Sequence, residues 1–166
     1  MNDALYEHIV PRRSTTGDLI KRILVILALV LIFLISLEFL QLMAFLLLFI
    51  LGFLTHYFIF QRMNIEYEYT LLNHDIDIDV IYSRQRRKKL LSFDFQKAEI
   101  IAPVNSPRLN SINIEKTYDF SSRSPDNKAF AIIINIDQKR TCVIVEPDQG
   151  MINHVKPWMG SKFYLD

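Results

Sequence analysis

Two rhythms divide this chain of 166 residues. From Leu19 to Phe60 the side chains are apolar almost without interruption, and only Lys21, Arg22, Glu38, Gln41 and His56 are charged or strongly polar. One helix over residues 19–60 would extend about 63 Å, roughly twice the hydrocarbon core of a bilayer. The run therefore predicts a transmembrane helical hairpin, with helices over about 19–37 and 39–60. The break is expected within residues 36–41, because a carboxylate such as Glu38 is costly at mid-bilayer. A cleaved signal peptide is not expected, since the apolar stretch is too long and no A-x-A site follows it.

After Arg62 the rhythm changes to period two. Ile65, Tyr67, Tyr69 and Leu71 alternate with Glu66, Glu68 and Thr70, the pattern of a half-buried strand. Asn73-His74 reads as a tight turn, after which Ile76, Ile78, Val80 and Tyr82 alternate with Asp75, Asp77, Asp79 and Ile81. Together these make an antiparallel hairpin. Further strands are predicted over 89–95, 98–102, 117–120, 129–136 and 141–146. The tail turns helical behind Asp148 as N-cap, with Met151, Ile152 and Val155 as an apolar stripe that Pro157 should end. Seven short strands and a short C-terminal helix point to a seven-stranded antiparallel β-barrel, or a nearly closed sheet, since closure protects sheet edges. The fold class is α+β: a polar N-terminal segment 1–18, the hairpin 19–60 and a β-domain 61–166. Within the first segment, residues 4–10 read as one or two amphipathic surface turns before Pro11 and Gly17.

Charge adds an orientation. The net charge is +1, which favours neither nucleic acid nor an acidic tail. Its distribution is uneven: Arg12, Arg13, Lys21 and Arg22 precede or open the first apolar helix, Arg62 and a cluster at 84–89 follow the second, and the connecting turn has no cation. By the positive-inside rule both termini are cytoplasmic, in a two-pass protein of the cell membrane.

The stretch HDIDIDVIYSRQRRKK, residues 74–89, is the one place where chemistry suggests itself. Asp75, Asp77 and Asp79 invite a metal, but an EF-hand loop counted from Asp75 would need Gly and Glu where Val80 and Arg86 stand. Alternate side chains on a strand also project about 6.5–7 Å apart, too far to share one ion. The aspartates read as the wet face of a strand. With Asn73-His74 as the turn, Glu68 faces Asp79, and Lys88 is the expected compensating cation. Arg84, Arg86, Arg87, Lys88 and Lys89 follow a strand that returns toward the membrane, where each cation near anionic headgroups contributes about 1 kcal/mol. These five are the expected membrane-surface contacts. No nucleic-acid partner is expected, because the cluster lacks an aromatic stacking platform.

No catalytic residue, cofactor or metal site is expected. The histidines are scattered at 8, 56, 74 and 154, no Gly-rich phosphate loop or G-x-S-x-G elbow occurs, and the lone Cys142 lies in an apolar strand. The order of elements resembles a pleckstrin-homology-like barrel. The run YEYTLLNHDIDIDVIYSRQRRKKLLSFDFQKAEIIAP is similar to the bacterial membrane-flanked PH-like domains, in which a helical hairpin precedes the strands. The whole chain further resembles an uncharacterised family of small bacterial two-helix membrane proteins, through NIEYEY, FDFQKAEIIAPVNS and VEPD. The resemblance implies a binding or scaffold module at the cytoplasmic membrane face, with the lipid bilayer, its anionic headgroups and an unidentified protein as partners. The 103–116 loop and the 148–159 helix are the expected protein contacts. The alternative is a membrane-associated enzyme or envelope-stress sensor with its site between β-domain and hairpin, which a polar concave pocket would favour.

Overall fold

The computed structural model describes residues 5–60, 64–126 and 128–165. Arg62, counted above among the orienting cations, lies outside the described residues. The chain divides into two compact units, one comprising Met1–Arg12, Glu66–Ile81 and Arg87–Asp166, the other Arg13–Ile65 and Tyr82–Arg86.

Among the described residues the first unit carries eight strands in two four-stranded sheets. Strand β1 (Leu5–Pro11), β2 (Ile65–Leu72), β3 (Asp75–Tyr82) and β4 (Arg86–Asp94) follow one another across the first sheet. The second contains β5 (Ile100–Pro103), β6 (Lys116–Asp119), β7 (Phe130–Ile136) and β8 (Lys139–Val145), in the order β5-β7-β8-β6. The expected seven-stranded antiparallel barrel is thus corrected on three counts: the described residues form eight strands, the sheets do not close into a barrel, and β6 runs parallel to β8.

The additional strand is β1. Residues expected as helical turns pair antiparallel with β2 through the full register from Leu5↔Leu72 to Pro11↔Glu66. Tyr6, His8 and Val10 turn inward while Leu5, Glu7, Ile9 and Pro11 are exposed, a period of two. Pro11, which cannot donate to a ladder, stands at the end of an edge strand, where it is tolerated.

The β2–β3 hairpin turns at Asn73-His74 as expected, with Asn73 in the left-handed region at φ 56°. Strand β3 buries Ile76, Ile78 and Val80 and keeps its aspartates outside or half-buried. In β7, by contrast, Phe130 to Ile134 are all buried. The reason is that the second sheet is covered on both faces: Ala131, Ile133 and Cys142 form a cluster under Leu109 and Ile112 of the 103–116 loop. Strands buried on both faces read as continuous apolar runs rather than alternating ones. The β7–β8 connection is a two-residue turn at Asp137-Gln138, both at positive φ, shorter than the four residues expected.

Helix α3 (Gln149–Met159) starts behind Asp148, whose carboxylate accepts from the Met151 amide at 2.8 Å. It does not stop before Pro157; the helix continues to Met159 and closes with the Gly160 amide on the Lys156 carbonyl. Proline so near the end removes one intrahelical bond but leaves the buried stripe Met151, Val155 and Met159 intact.

The second unit is built on α1 (Thr16–Leu40) and α2 (Met43–Phe58). Helix α1 begins three residues earlier than expected because Thr15 and Asp18 form a capping box. The break comes at Gln41-Leu42 and not at Glu38, which is exposed in the last turn of α1 and already at helix-end level. Ser36 and Ala44 are buried, and the Phe33 and Phe45 rings meet edge to face at 5.4 Å. Small residues at such a crossing let two helices approach closely. Helix α1, with a mean hydropathy of 3.1 in its most apolar window, is long and apolar enough to cross a membrane; α2 is also apolar but shorter.

Candidate functional site

The three alternating aspartates do not converge. Asp77 accepts from Ser92 and pairs with Lys89 at 2.8 Å. Burial would raise the Asp77 carboxyl, but Lys89 and Ser92 outweigh it and hold it below the ordinary range. Asp75 instead joins His74 and Asp94, with His74 Nδ1 at 3.5 Å from Asp75 and 3.3 Å from Asp94. These three ligand-type atoms lie within 4.8 Å of one another. They form a ring of donors at a hairpin tip, yet Asp94 is engaged by the Gln96 amide and faces Lys97 at 4.0 Å, a cation that competes with any metal.

The five expected membrane contacts are dispersed. Arg87 donates to Glu68 at 2.7 Å, and Glu68 is 2 % exposed. Burial raises the Glu68 carboxyl above its usual value, Arg87 works against that, and Glu7 and Asp79 add to it. The cation compensating the Glu68–Asp79 repulsion is therefore Arg87 and not Lys88, because it is Arg87 that reaches across to β2. Lys89 is committed to Asp77. Arg86 hydrogen-bonds the Tyr57 hydroxyl at 2.8 Å and lies 5.6 Å over its ring, at the end of α2. Arg84 and Lys88 are exposed. Within the cluster, Arg87 and Lys89 balance charge in the first sheet and Arg86 ties the β3–β4 turn to α2.

A groove of about 920 Å³ lies in the β unit. Its walls include Val104, Phe130, Ile144 and Ile152, with Asp119, Lys128 and Asp148 at its edge. Both carboxylates are already engaged. Asp119 accepts from Arg123 and Ser121. Asp148 accepts from the Tyr6 hydroxyl and the Met151 amide and stands 3.6 Å from His8. Burial would raise the Asp148 carboxyl, but Tyr6, the Met151 amide and His8 together hold it low. The same contact pushes the Tyr6 phenol up to about 12.

Asp148 is therefore a structural hub that sequence reasoning found only as a helix cap. Tyr6 lies so close to Gly150 that a Cβ there would overlap its ring, at 2.6 Å from Cζ. This explains a glycine inside the first turn of α3, where helix propensity disfavours it. Tyr69 is a second tie, fully buried, donating to the Phe120 carbonyl at 2.6 Å and accepting from the Glu146 amide at 3.3 Å. The first strand is thus bonded to β2 on one side and to α3 through a side-chain lock.

The chain thus combines an N-terminal strand, an apolar helical pair and two small sheets with a C-terminal helix. Residues 2–165 match a family described as bacterial PH-like domain (DUF6106). The chain belongs to that family. The match begins ahead of β1 and ends beyond α3, so the helices are as much a part of the family pattern as the strands. No curated protein and no solved structure matches the chain.

Proposed function

We propose that this PH-like protein is a two-pass membrane protein, with both termini cytoplasmic, that displays its β unit as a binding and scaffold module at the cytoplasmic membrane face. The observation that carries the reading is the pairing of β1 with β2. These strands flank the helical pair in sequence, yet Pro11 is the register partner of Glu66. Strands in one sheet share one side of a membrane, so the number of crossings between them is even. Measured from Ile23, beyond Lys21 and Arg22, the apolar part of α1 extends about 27 Å and α2 about 24 Å. The two lengths agree and approach the hydrocarbon thickness of about 30 Å. Basic residues at the strand side of the helices favour the cytoplasm for the β unit.

The module reading is favoured over an enzyme by the state of the groove. A general acid or base needs a proton site free to act on substrate, whereas Asp119 and Asp148 hold the fold together. The test is sidedness. Cysteine placed at Gln41 should be labelled from outside intact cells by a membrane-impermeant maleimide, and cysteine at Glu7 only after permeabilisation. The natural Cys142 is buried, with its thiol raised by that burial, and provides the blank. Equal labelling of both positions from outside, or of neither, would exclude the two-pass arrangement.

A further inference from the structure

The helical unit contains a cavity that neither the basic cluster nor the groove accounts for. It measures about 450 Å³ and is lined by Arg22 and Ile26 of α1, His56 and Phe60 at the end of the α2 segment, Asn64, and Ser83 and Gln85 of the β3–β4 turn. Three separate stretches of chain build it. They are fastened there by Arg22 Nη2 donating to Asn64 Oδ1 at 2.9 Å and the Ser83 amide donating to the Asn64 carbonyl at 2.8 Å. Arg86 on Tyr57 holds the same turn to α2.

Two features make this cavity anion-seeking. No carboxylate stands among its described lining residues, while a fixed guanidinium, an imidazole and two carboxamides do. The nearest acid on α1, Asp18, has its carboxylate engaged by Thr15 in the capping box. The second feature is Arg22 Nε, which is enclosed and has no hydrogen-bond acceptor among the described residues. A buried donor left unpaired costs about 1–3 kcal/mol, more when charged. An acceptor supplied from outside the chain would remove that cost. The guanidinium fork matches an oxyanion with two oxygens, the geometry of phosphate recognition.

Location selects the source of the phosphate. Ile26 and Phe60 give the cavity apolar walls, and the neighbouring Ile23 and Leu27 of α1 are exposed. Free phosphate has no use for apolar walls; a glycerophospholipid brings phosphate and glycerol-acyl surface together.

We propose that the Arg22–His56–Asn64–Gln85 cavity binds the phosphate of an anionic phospholipid headgroup, with Arg22 as the principal ligand. This deepens the two-pass reading and rests on it. Bound lipid would brace the end of the hairpin against the β3–β4 turn.

The experiment uses the full chain purified in a neutral detergent and titrated separately with phosphatidylglycerol, phosphatidylcholine and inorganic phosphate, with bound ligand read by native mass spectrometry. Phosphatidylglycerol should bind about tenfold more tightly than phosphatidylcholine. Arg22→Gln should lose about tenfold of that affinity, the loss of one bidentate charged contact. Arg22→Lys, which keeps the charge but not the fork, should fall between the two. Lys88→Gln, an equal charge loss outside the cavity, should bind as the natural chain does. Equal losses in Arg22→Gln and Lys88→Gln would reduce the effect to diffuse charge and overturn the site. Displacement of phosphatidylglycerol by inorganic phosphate at equal concentration would assign free phosphate and overturn the lipid source. Labelling at Gln41 in each variant scores the two-pass reading separately, so a failed site and a failed topology give different results.

Discussion

The β unit and the helical unit dispose of their apolar surface in opposite ways. In the first, Tyr69, Leu71, Ile78 and Ile133 have no measurable exposure. In the second, Ile35, Phe39, Phe49 and Phe53 are each more than half exposed. Apolar surface is driven out of water. The first unit achieves this with its own atoms; the second leaves its apolar side chains on the outside, which suits the proposed membrane setting, because a helix apolar all round is at home in lipid. The difference also explains why α1 and α2 meet through small residues at Ser36 and Ala44 rather than through a thick layer of interlocked leucines.

The sharpest way to break this contrast is to truncate one side chain in each unit and follow denaturant unfolding of the full chain in micelles. Ile133→Ala in β7 should cost about 2–5 kcal/mol, the range for a fully buried aliphatic side chain. Phe49→Ala in α2 should leave the unfolding of the β unit unchanged within about 0.5 kcal/mol. A comparable loss in both would mean that the helices are packed by protein and not by lipid.

A somewhat smaller effect is expected at the lock between β1 and α3. Gly150→Ala introduces a Cβ into the Tyr6 ring and should destabilise the β unit by about 1–3 kcal/mol, although alanine is the better helix former. If the propensity gain dominated and stability rose, the lock would be loose. Arg87→Gln follows, with an expected cost of about 1–2 kcal/mol, since it strands the buried Glu68 while Arg87 itself is half exposed. Lys88→Gln, its sequence neighbour, should lie within about 0.5 kcal/mol of the natural chain.

The smallest predicted effects are on pH. Asp148 is held low in the folded state, so its stabilisation is present above the ordinary carboxyl range and is lost as pH falls through its folded value. Tyr6 is raised to about 12, so its contribution is full below pH 10 and is lost between about 10 and 12. Tyr6→Phe should weaken the alkaline step, part of which remains because burial also raises the Tyr69 phenol, and should leave the acid limb from Asp77 in place. A melting temperature flat from neutrality to pH 11 in the natural chain would contradict the Tyr6–Asp148 contact.

Much of this was legible in the sequence wherever neighbours in the chain are neighbours in space. The β2–β3 hairpin announces itself through alternation and the Asn73-His74 turn, and the α1–α2 pair through sheer apolar length. Strand β1 was not legible. Seven residues of mixed polarity have no local partner, and the one they find lies beyond two helices. For the same reason residues 61–166 are not the whole of the β unit, because that fragment leaves the outer side of β2 bare. The 103–116 loop, nominated as a protein contact, also packs Leu109 and Ile112 against the second sheet, a role that its polar sequence does not announce. Arg87 and Lys88 could not be ranked without the side-chain reach to Glu68. The Arg22 cavity draws its lining from positions 22 to 85, a constellation with no linear signature.

The central claim is that a membrane-crossing hairpin is inserted between two paired strands of one PH-like unit. It can be tested in a single gel. Cysteines at Glu7 and Thr70, register partners in β1 and β2, are combined with a protease site placed after Gln41, the membranes of spheroplasts are oxidised, and protease is added outside. The account predicts cleavage from outside into two fragments that stay joined without reductant and separate with it. Fragments that separate without reductant, or a chain that outside protease cannot cut, would contradict it.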